Sequence, residues 1–584
     1  MWHFWIDVGG TFTDCIAQSP DGRLLRHKLL SSGVTKGVVG AGSDELRIVD
    51  PARRDDPEQF WTGYRLRLLD AQGRIVRETA VVGFERATGT LLLETACQRE
   101  PPSSAAAPVV GQPYELFSDE EAPIIGIRYL LGLARNVPIP PVVVRLGTTR
   151  GTNALITRRG ARTAFVTTQG FGDILRIGYQ NRPKLFELNI HTPEPLFAAS
   201  AQLRERVTST GQVLTAPDPE EVRRVLQRLK TEGVESLAIC FLHAYVHPEH
   251  ELLVERIARE VGFDEISVSS RVAPLIKIVA RGETTVLDAY LNPVLRAYVQ
   301  RLRTSLGGGG LQILTSAGGL VEAERFVGKD SILSGPAGGV VGFSHVARAA
   351  GFQQAIGFDM GGTSTDVSRY DGRYELEYET EKAGVRVVAP MMAIETVAAG
   401  GGSACRFDGV KLVVGPDSAG ADPGPACYGR GGPLAVTDLN VYQGRILAER
   451  FPFPLDRTAV ESRLTALAEE IVRATGRRYE LHELADGLLR VANATMVKAI
   501  RSISVAKGAD PRHYLLVAFG GAAGQHACAV ARELGMREIL NHPDAGVLSA
   551  LGIGMADVVR HQAQGVYQPY SDEAVAALEP AFQR

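Results

Sequence analysis

The chain has 584 residues, 45% of them hydrophobic and 22% charged, with a formal net charge of −3. A chain of that size buries a large core without cross-links, and its small negative charge supplies no basic excess to draw nucleic acid or an acidic membrane. No apolar run reaches the ~18 residues of a membrane span, and the opening Met1-Trp2-His3-Phe4-Trp5-Ile6-Asp7 has no basic leader, so the cytoplasm is expected. Cys15, Cys97, Cys240, Cys405, Cys427 and Cys528 form no C-x-x-C pair, which argues against a zinc ribbon or disulfide framework; all are read as buried thiols in a reducing compartment.

In chain order, residues 3–17 alternate around Gly9-Gly10 and predict a β-hairpin. Short strand-like runs within residues 44–117 predict a small all-β insertion, with a flexible loop at 101–108. Residues 121–134 have helical spacing, 142–146 a strand, and Gly147-Thr148-Thr149 leads into a helix through about residue 158. Helices are expected at 219–232, 249–261, 283–305, 456–476 and 481–505. Strands are expected at 312–314, 355–359, around Val367 and at 515–519. Residues 400–433, rich in Gly, Pro and Ser, are expected to be mostly loop, and 573–583 a helix cut off at its end. The alternation points to an α/β chain with mixed sheets. It divides into an N-terminal lobe (1–215), a second lobe (216–560) and the start of a further segment (561–584).

One internal repeat carries the chemistry. Asp7-Val-Gly-Gly-Thr-Phe-Thr-Asp14 and Asp359-Met-Gly-Gly-Thr-Ser-Thr-Asp366 both read D-x-G-G-T-x-T-D, each between two apolar strands. Paired glycines let backbone N–H groups approach phosphate oxygens, and threonine hydroxyls add donors. An aspartate at the strand end suits Mg²⁺. Two such turns, one from each half, are expected to close on a triphosphate, for which positioning and charge neutralisation are most of the catalysis. No Walker motif is present, and the strand–turn–strand context disfavours a dinucleotide fold.

The assignments follow. Asp7 and Asp359 hold Mg²⁺ and orient the attacking oxygen. Gly9, Gly10, Thr11, Thr13, Gly361, Gly362, Thr363 and Thr365 bind phosphates, joined by Gly520 and Gly521 of a third glycine cluster that ends strand 515–519. Asp14 and Asp366 are read as turn braces, and His526 as a structural residue of a first helical turn. Thr148, Thr149 and Asn153 are helix caps or substrate contacts. The stretch 334–339, with Pro336, is read as a hinge loop, and 400–403 as a loop that closes over a ligand or simply turns.

With those turns, the stretches 147–154, 334–342, 357–368, 398–403, 415–428 and 519–527 resemble the hydantoinase A/5-oxoprolinase family, most nearly the N-terminal half of fused 5-oxoprolinases. The resemblance implies a two-lobed fold similar to actin, sugar kinases and chaperone ATPases. It implies that ATP, with Mg²⁺ and often K⁺, phosphorylates the amide oxygen of a cyclic substrate such as 5-oxoproline or a hydantoin, so that water opens the ring. A hydantoinase B-type half or subunit, and an oligomer, are the implied partners. Where fused oxoprolinases resemble Leu-Asp-Ile-Asn-Thr-Val, this chain has Met392-Ala393-Ile394-Glu395-Thr396-Val397, which makes Glu395 a candidate substrate ligand. The alternatives are the ATPase subunit of a ketone carboxylase and a non-enzymatic nucleotide switch or reactivating chaperone.

Overall fold

The structure is a computed structural model and describes residues 1–70, 72–94, 108–181, 185–190, 193–451 and 453–583. Two mixed sheets organise it. The first runs in the order β6-β5-β4-β1-β2-β3, from β1 (Trp2–Val8), β2 (Phe12–Gln18), β3 (Leu24–Leu30), β4 (Val142–Thr148), β5 (Gly310–Leu314) and β6 (Leu320–Glu322). The second runs β9-β8-β7-β10-β11, from β7 (Gln354–Met360), β8 (Thr365–Asp371), β9 (Ile394–Val397), β10 (Leu515–Phe519) and β11 (Ile539–Leu540).

The centre of each sheet repeats one pattern. A hairpin (β1-β2 or β7-β8) carries the D-x-G-G-T-x-T-D turn at its tip, and its first strand pairs in parallel with a glycine-ended strand on the other side. The parallel register sets Asp7 against Gly147 and Asp359 against Phe519, the residue before Gly520. The mixed α/β, two-lobed class expected from the sequence is therefore what forms.

Two helices fill the space between the sheets: α2 (Ser334–Ala349) and α3 (Leu548–Met555). They cross at glycines, where a Cβ on Gly552 would stand 2.0 Å from the Gly338 carbonyl oxygen. The contact is therefore backbone on backbone, and side-chain-free positions permit it. Phe343 of α2 lies over Gly357 of β7, while Ile553 of α3 lies over Gly147 of β4 and Trp5 of β1 over Gly554. Leu314, Phe343, Val517, Phe519, Leu551 and Ile553 make one buried cluster that joins the sheets.

A third, all-parallel sheet (Ala199–Leu203, Thr163–Thr168, Ser236–Cys240, Glu265–Val268) packs on α1 (Ile278–Leu306). It crosses residue 215, so the expected lobe boundary falls inside one sheet, because strands distant in sequence pair there. The all-β unit is present as six antiparallel strands, and it begins at Thr35–Val38 rather than near residue 44. Residues 35–38 pair with Pro113–Phe117, a long-range contact that periodicity does not register.

Helices Pro219–Thr231, Glu249–Val261, Arg457–Thr475 and Leu481–Ile503 lie where expected. The helix expected at 283–305 begins five residues earlier, at Ile278, and runs on through Pro293. The segment 400–433 is mostly loop, as expected, and holds one antiparallel pair, Ser403–Phe407 with Leu412–Ser418. Two local expectations give way. The stretch 334–339 is the first turns of α2, with Pro336 where a missing N–H costs nothing. The C-terminal helix is two short ones, Asp572–Ala576 and Glu579–Gln583. Cys15, Cys240, Cys405 and Cys427 are buried, but Cys528 is exposed; Cys97 and nearly all of the 101–108 loop lie outside the described residues. Among the described residues, no helix is long and apolar enough to cross a membrane.

Candidate functional site

The two turns have matching exposure. In each, the leading aspartate is half-buried, the second glycine and first threonine are exposed, and the second threonine is buried. Gly9 N–H bonds the Phe12 carbonyl at 3.0 Å and Gly361 N–H bonds that of Ser364 at 3.1 Å, so both chains reverse through the same closed turn. Gly10, Thr11, Gly362 and Thr363 are left at the surface.

The braces beneath the turns differ. Under the first, Ser31 does three things: its hydroxyl donates to the Gly9 carbonyl (2.8 Å), lies 2.9 Å from the Thr13 hydroxyl, and its N–H donates to the Thr11 carbonyl (2.9 Å). Under the second, backbone replaces it. Gly401 and Gly402 N–H groups donate to the Gly361 and Gly362 carbonyls at 3.0 and 2.6 Å, and Thr365 donates to the Ala399 carbonyl at 2.5 Å. Thr13 and Thr365 thus sit below their turns with hydroxyls already engaged, while Thr11 and Thr363 face outward.

Asp7 and Asp359 are brought within electrostatic range of one another. Asp359 is raised well above the ordinary carboxylate range, first by burial and then by Asp366, Asp7 and Asp14; Lys28 pulls it down. Burial, with Asp14 adding, lifts Asp7 to about 7, and Lys28 opposes. Like charges that share a dry site disfavour ionisation together. Lys28 is the counter-charge: its ammonium donates to Asp14 at 2.6 Å, directly across the β2-β3 register.

The walls around the two aspartates are glycines. A Cβ on Gly147 would lie 3.3 Å from Asp7 Oδ1 and one on Gly335, in the first turn of α2, 3.1 Å. A Cβ on Gly520 would lie 2.3 Å from Asp359 Oδ1, and Gly520 has φ +83°, where only glycine is comfortable. Asp7 Oδ1 is buried with no hydrogen-bond partner. An orphaned carboxylate oxygen is a group that a hard divalent cation can complete. Among the described residues no three His, Cys, Asp or Glu side chains gather as a metal set.

The remaining candidates spread out. Thr148 is fully buried: its N–H donates to Ser334 Oγ (3.1 Å) and its hydroxyl accepts from Arg150 N–H (3.1 Å). Thr149 donates to the Val8 carbonyl at 3.1 Å, and Asn153, exposed, donates to Thr149 Oγ1 at 3.3 Å. All three stand on the first lobe, whereas Glu395 is exposed on the edge strand β9 of the second, opposite Val367. Gly521 is exposed just beyond Gly520. His526 is buried between Asn493 (2.7 Å) and Asn440 (3.0 Å); burial lowers it to about 4, so it is a neutral structural ring. Sequence reasoning missed Ser31 and Lys28, which carry no motif, and the role of Gly400–Gly402 as a platform for the second turn rather than a cover.

Two sheets, each with a glycine-threonine turn and an aspartate at its strand end, and a helix pair between them, define a two-lobed α/β protein. The sequence matches the Hydantoinase/oxoprolinase family over residues 281–562 and its N-terminal region over residues 3–60 and 108–262. The chain belongs to that family. The 5-oxoprolinase 1 of Arabidopsis thaliana is 40% identical over 499 residues, which cover 77% of this chain and 39% of that protein. The caprolactamase subunit alpha of Pseudomonas jessenii is 31% identical over 445 residues, 74% of this chain and 63% of that one. The crystal structure of that organism's ATP-dependent caprolactamase aligns with a TM-score of 0.68 at 26% identity, covering 95% of this chain and 71% of that one. A nucleotide-free acetone carboxylase also aligns at 0.68, over 100% of this chain and 75% of that one; at 20% identity it shares the fold alone. The chain spans about two fifths of the length of the 5-oxoprolinases it matches.

Proposed function

We propose that this chain is the ATP-using part of an ATP-dependent cyclic amide hydrolase of the 5-oxoprolinase type. ATP lies between the two turns. Gly9, Gly10 and Thr11 from one lobe, and Gly361, Gly362 and Thr363 from the other, direct N–H and hydroxyl donors at its phosphates, with Gly520 and Gly521 beside the nucleotide. Thr13 and Thr365 act from below by holding the turns. Asp7 and Asp359 would hold Mg²⁺, which when bound supplies neutralisation of the phosphate charge. The N-terminus of α2 adds a partial positive charge near Asp7. The observation that supports it is the matched build of the two turns, each with a strand-end aspartate walled by glycines.

The chemistry explains the need for ATP. An amide carbon is a weak electrophile and its nitrogen a poor leaving group. Transfer of the γ-phosphoryl to the amide oxygen makes the carbon electrophilic, and water then completes ring opening to the amino acid with release of phosphate. That second stage is assigned to a hydantoinase B-type half, fused or separate, in agreement with the subunit name of the caprolactamase relative. Thr148, Thr149, Asn153 and Glu395 are the substrate contacts offered by the sequence. Of these, Thr149, Asn153 and Glu395 have the exposure to serve, and K⁺ is the monovalent ion to include in assays.

The test is ADP release by the purified chain with 5-oxoproline, a hydantoin and acetophenone, with and without a B-type partner. Stimulation by the cyclic amides supports the reading. Stimulation by acetophenone alone would move the chain to ketone carboxylation, and stimulation by none would leave a nucleotide switch.

A further inference from the structure

The short turn Ala545–Val547, which leads into α3, is bonded to both halves of the molecule. Its Ala545 carbonyl accepts the N–H of Gly520, the glycine that walls Asp359, at 2.9 Å. Its Gly546 carbonyl accepts from Lys28 of β3 at 3.4 Å, and the same ammonium donates to Asp14 at 2.6 Å. Asp14 stands opposite Asp7 in the β1-β2 register. Two neighbouring carbonyls of one turn thus link the hairpin of Asp7 to the glycine beside Asp359.

Asp544, the residue before this turn, fastens it to β3. Both of its carboxylate oxygens accept from Arg26, Oδ1 from Nε and Oδ2 from Nη2 at 2.8 Å. A two-point pairing of guanidinium and carboxylate sets orientation as well as distance. Each partner is also held from its own side. Arg26 Nη1 donates to the Leu24 carbonyl of the same strand at 3.2 Å. The Asp544 N–H donates to His542 Nδ1 at 3.0 Å, and the Asp544 carbonyl accepts the Val547 N–H at 2.9 Å. Asp544 is buried while Arg26 is exposed. Solvent screens a pair with one exposed partner, so it adds little to stability. Its consequence is geometric: it decides where the Ala545 and Gly546 carbonyls stand.

We propose that Asp544 is a positioning residue: paired with Arg26, it ties the Ala545–Val547 turn to β3 and so sets the spacing between the hairpin of Asp7 and the strand end of Asp359. The proposal rests on the proposed function for what that spacing serves, namely the alignment of the two turns on one ATP; the tie itself stands on the contacts. Asp544 acts through Arg26, Lys28 and Gly520. Either turn alone still offers its donors to phosphate, so loss of the tie lowers kcat more than it weakens ATP binding.

The tie is read on the nucleotide-free chain by hydrogen–deuterium exchange. Asp544→Asn and Arg26→Gln should each speed exchange of the Gly520 amide at least fivefold, with melting temperatures within 2 °C of the wild type. In the complete enzyme, each should lower kcat for ADP release at least tenfold and change the KM for ATP less than threefold. The double variant should match either single one, because all three lack the same contact. Unchanged Gly520 exchange, a wild-type kcat, or losses that multiply in the double variant overturn the proposal. Faster Gly520 exchange in an enzyme that releases no ADP with any cyclic amide keeps the tie and removes the proposed function. Cyclic-amide-stimulated ADP release at the wild-type rate in Asp544→Asn keeps the function and removes the tie.

Discussion

The two glycine-threonine turns have the same D-x-G-G-T-x-T-D pattern and nearly the same exposure, yet they are held in different ways. The first hangs on one side chain, Ser31, just after the edge strand β3 of its sheet, which carries Arg26 and Lys28. Those two cations reach the other lobe: Arg26 Nη2 donates to Asp544 Oδ2 at 2.8 Å and Lys28 Nζ to the Gly546 carbonyl at 3.4 Å. The second turn rests on backbone, with Gly400 so close that a Cβ would stand 2.6 Å from the Thr363 carbonyl carbon. A turn seated on three glycines has one geometry. A turn seated on a serine is tied through one residue, and the strand before that serine touches the loop before α3. The difference teaches that one motif can be seated on backbone or on a side chain.

The comparison is sharpest at the aspartates the two jaws share. Asp7→Ala and Asp359→Ala should each lower ATP turnover about a hundredfold or more while circular dichroism stays native, as expected for groups that act on developing charge. Normal turnover in either variant removes the metal assignment.

The next effect is in pH. Asp7 is raised from 3.8 to about 7, so in nucleotide- and metal-free protein the folded state binds more protons than the unfolded one between those values, and stability falls as pH rises through that window. Asp7→Asn should therefore be more stable than the wild type at pH 8, by up to about 4 kcal/mol, and equal to it near pH 4. Denaturant unfolding at both pH values measures this; a variant less stable than wild type at pH 8 contradicts it.

Glycine substitutions separate the jaws themselves. Gly400→Ala pushes a methyl against backbone that has nowhere to go and should cost about 1–3 kcal/mol, with ATP turnover falling alongside. Gly10→Ala meets no atom within 4 Å and should leave stability within about 0.5 kcal/mol of wild type. Thermal melts that rank them the other way would remove the close backbone seat of the second turn. Ser31→Ala removes two side-chain contacts under the first turn and should cost about 1–2 kcal/mol, with a raised KM for ATP. No change in that KM would mean the first turn does not need its brace.

Much of this was legible in the chain. The repeat announced itself because a tight turn with bare backbone favours glycine at fixed places, and a demand on residue type is written locally. The helices at 219–231, 249–261, 457–475 and 481–503 were legible because an amphipathic period of 3.6 is local as well. What stayed hidden depends on contacts distant in sequence. Ser31 is an ordinary serine until the fold sets it under Gly9, and Lys28 an ordinary lysine until register sets it opposite Asp14. Gly400–Gly402 read as a loop, and only packing made them the seat of a turn 40 residues earlier. Thr13 and Thr365 show the same limit: the motif marks all four threonines alike, and only burial separates the two that face outward from the two that hold the turns. By itself the sequence determined the two turns, the chemistry they suit and the α/β class, because each rests on local residue identity and period. Tertiary structure alone decided which threonines face outward and which buried charges perturb one another, because charge coupling and enclosure exist only between groups that folding brings together.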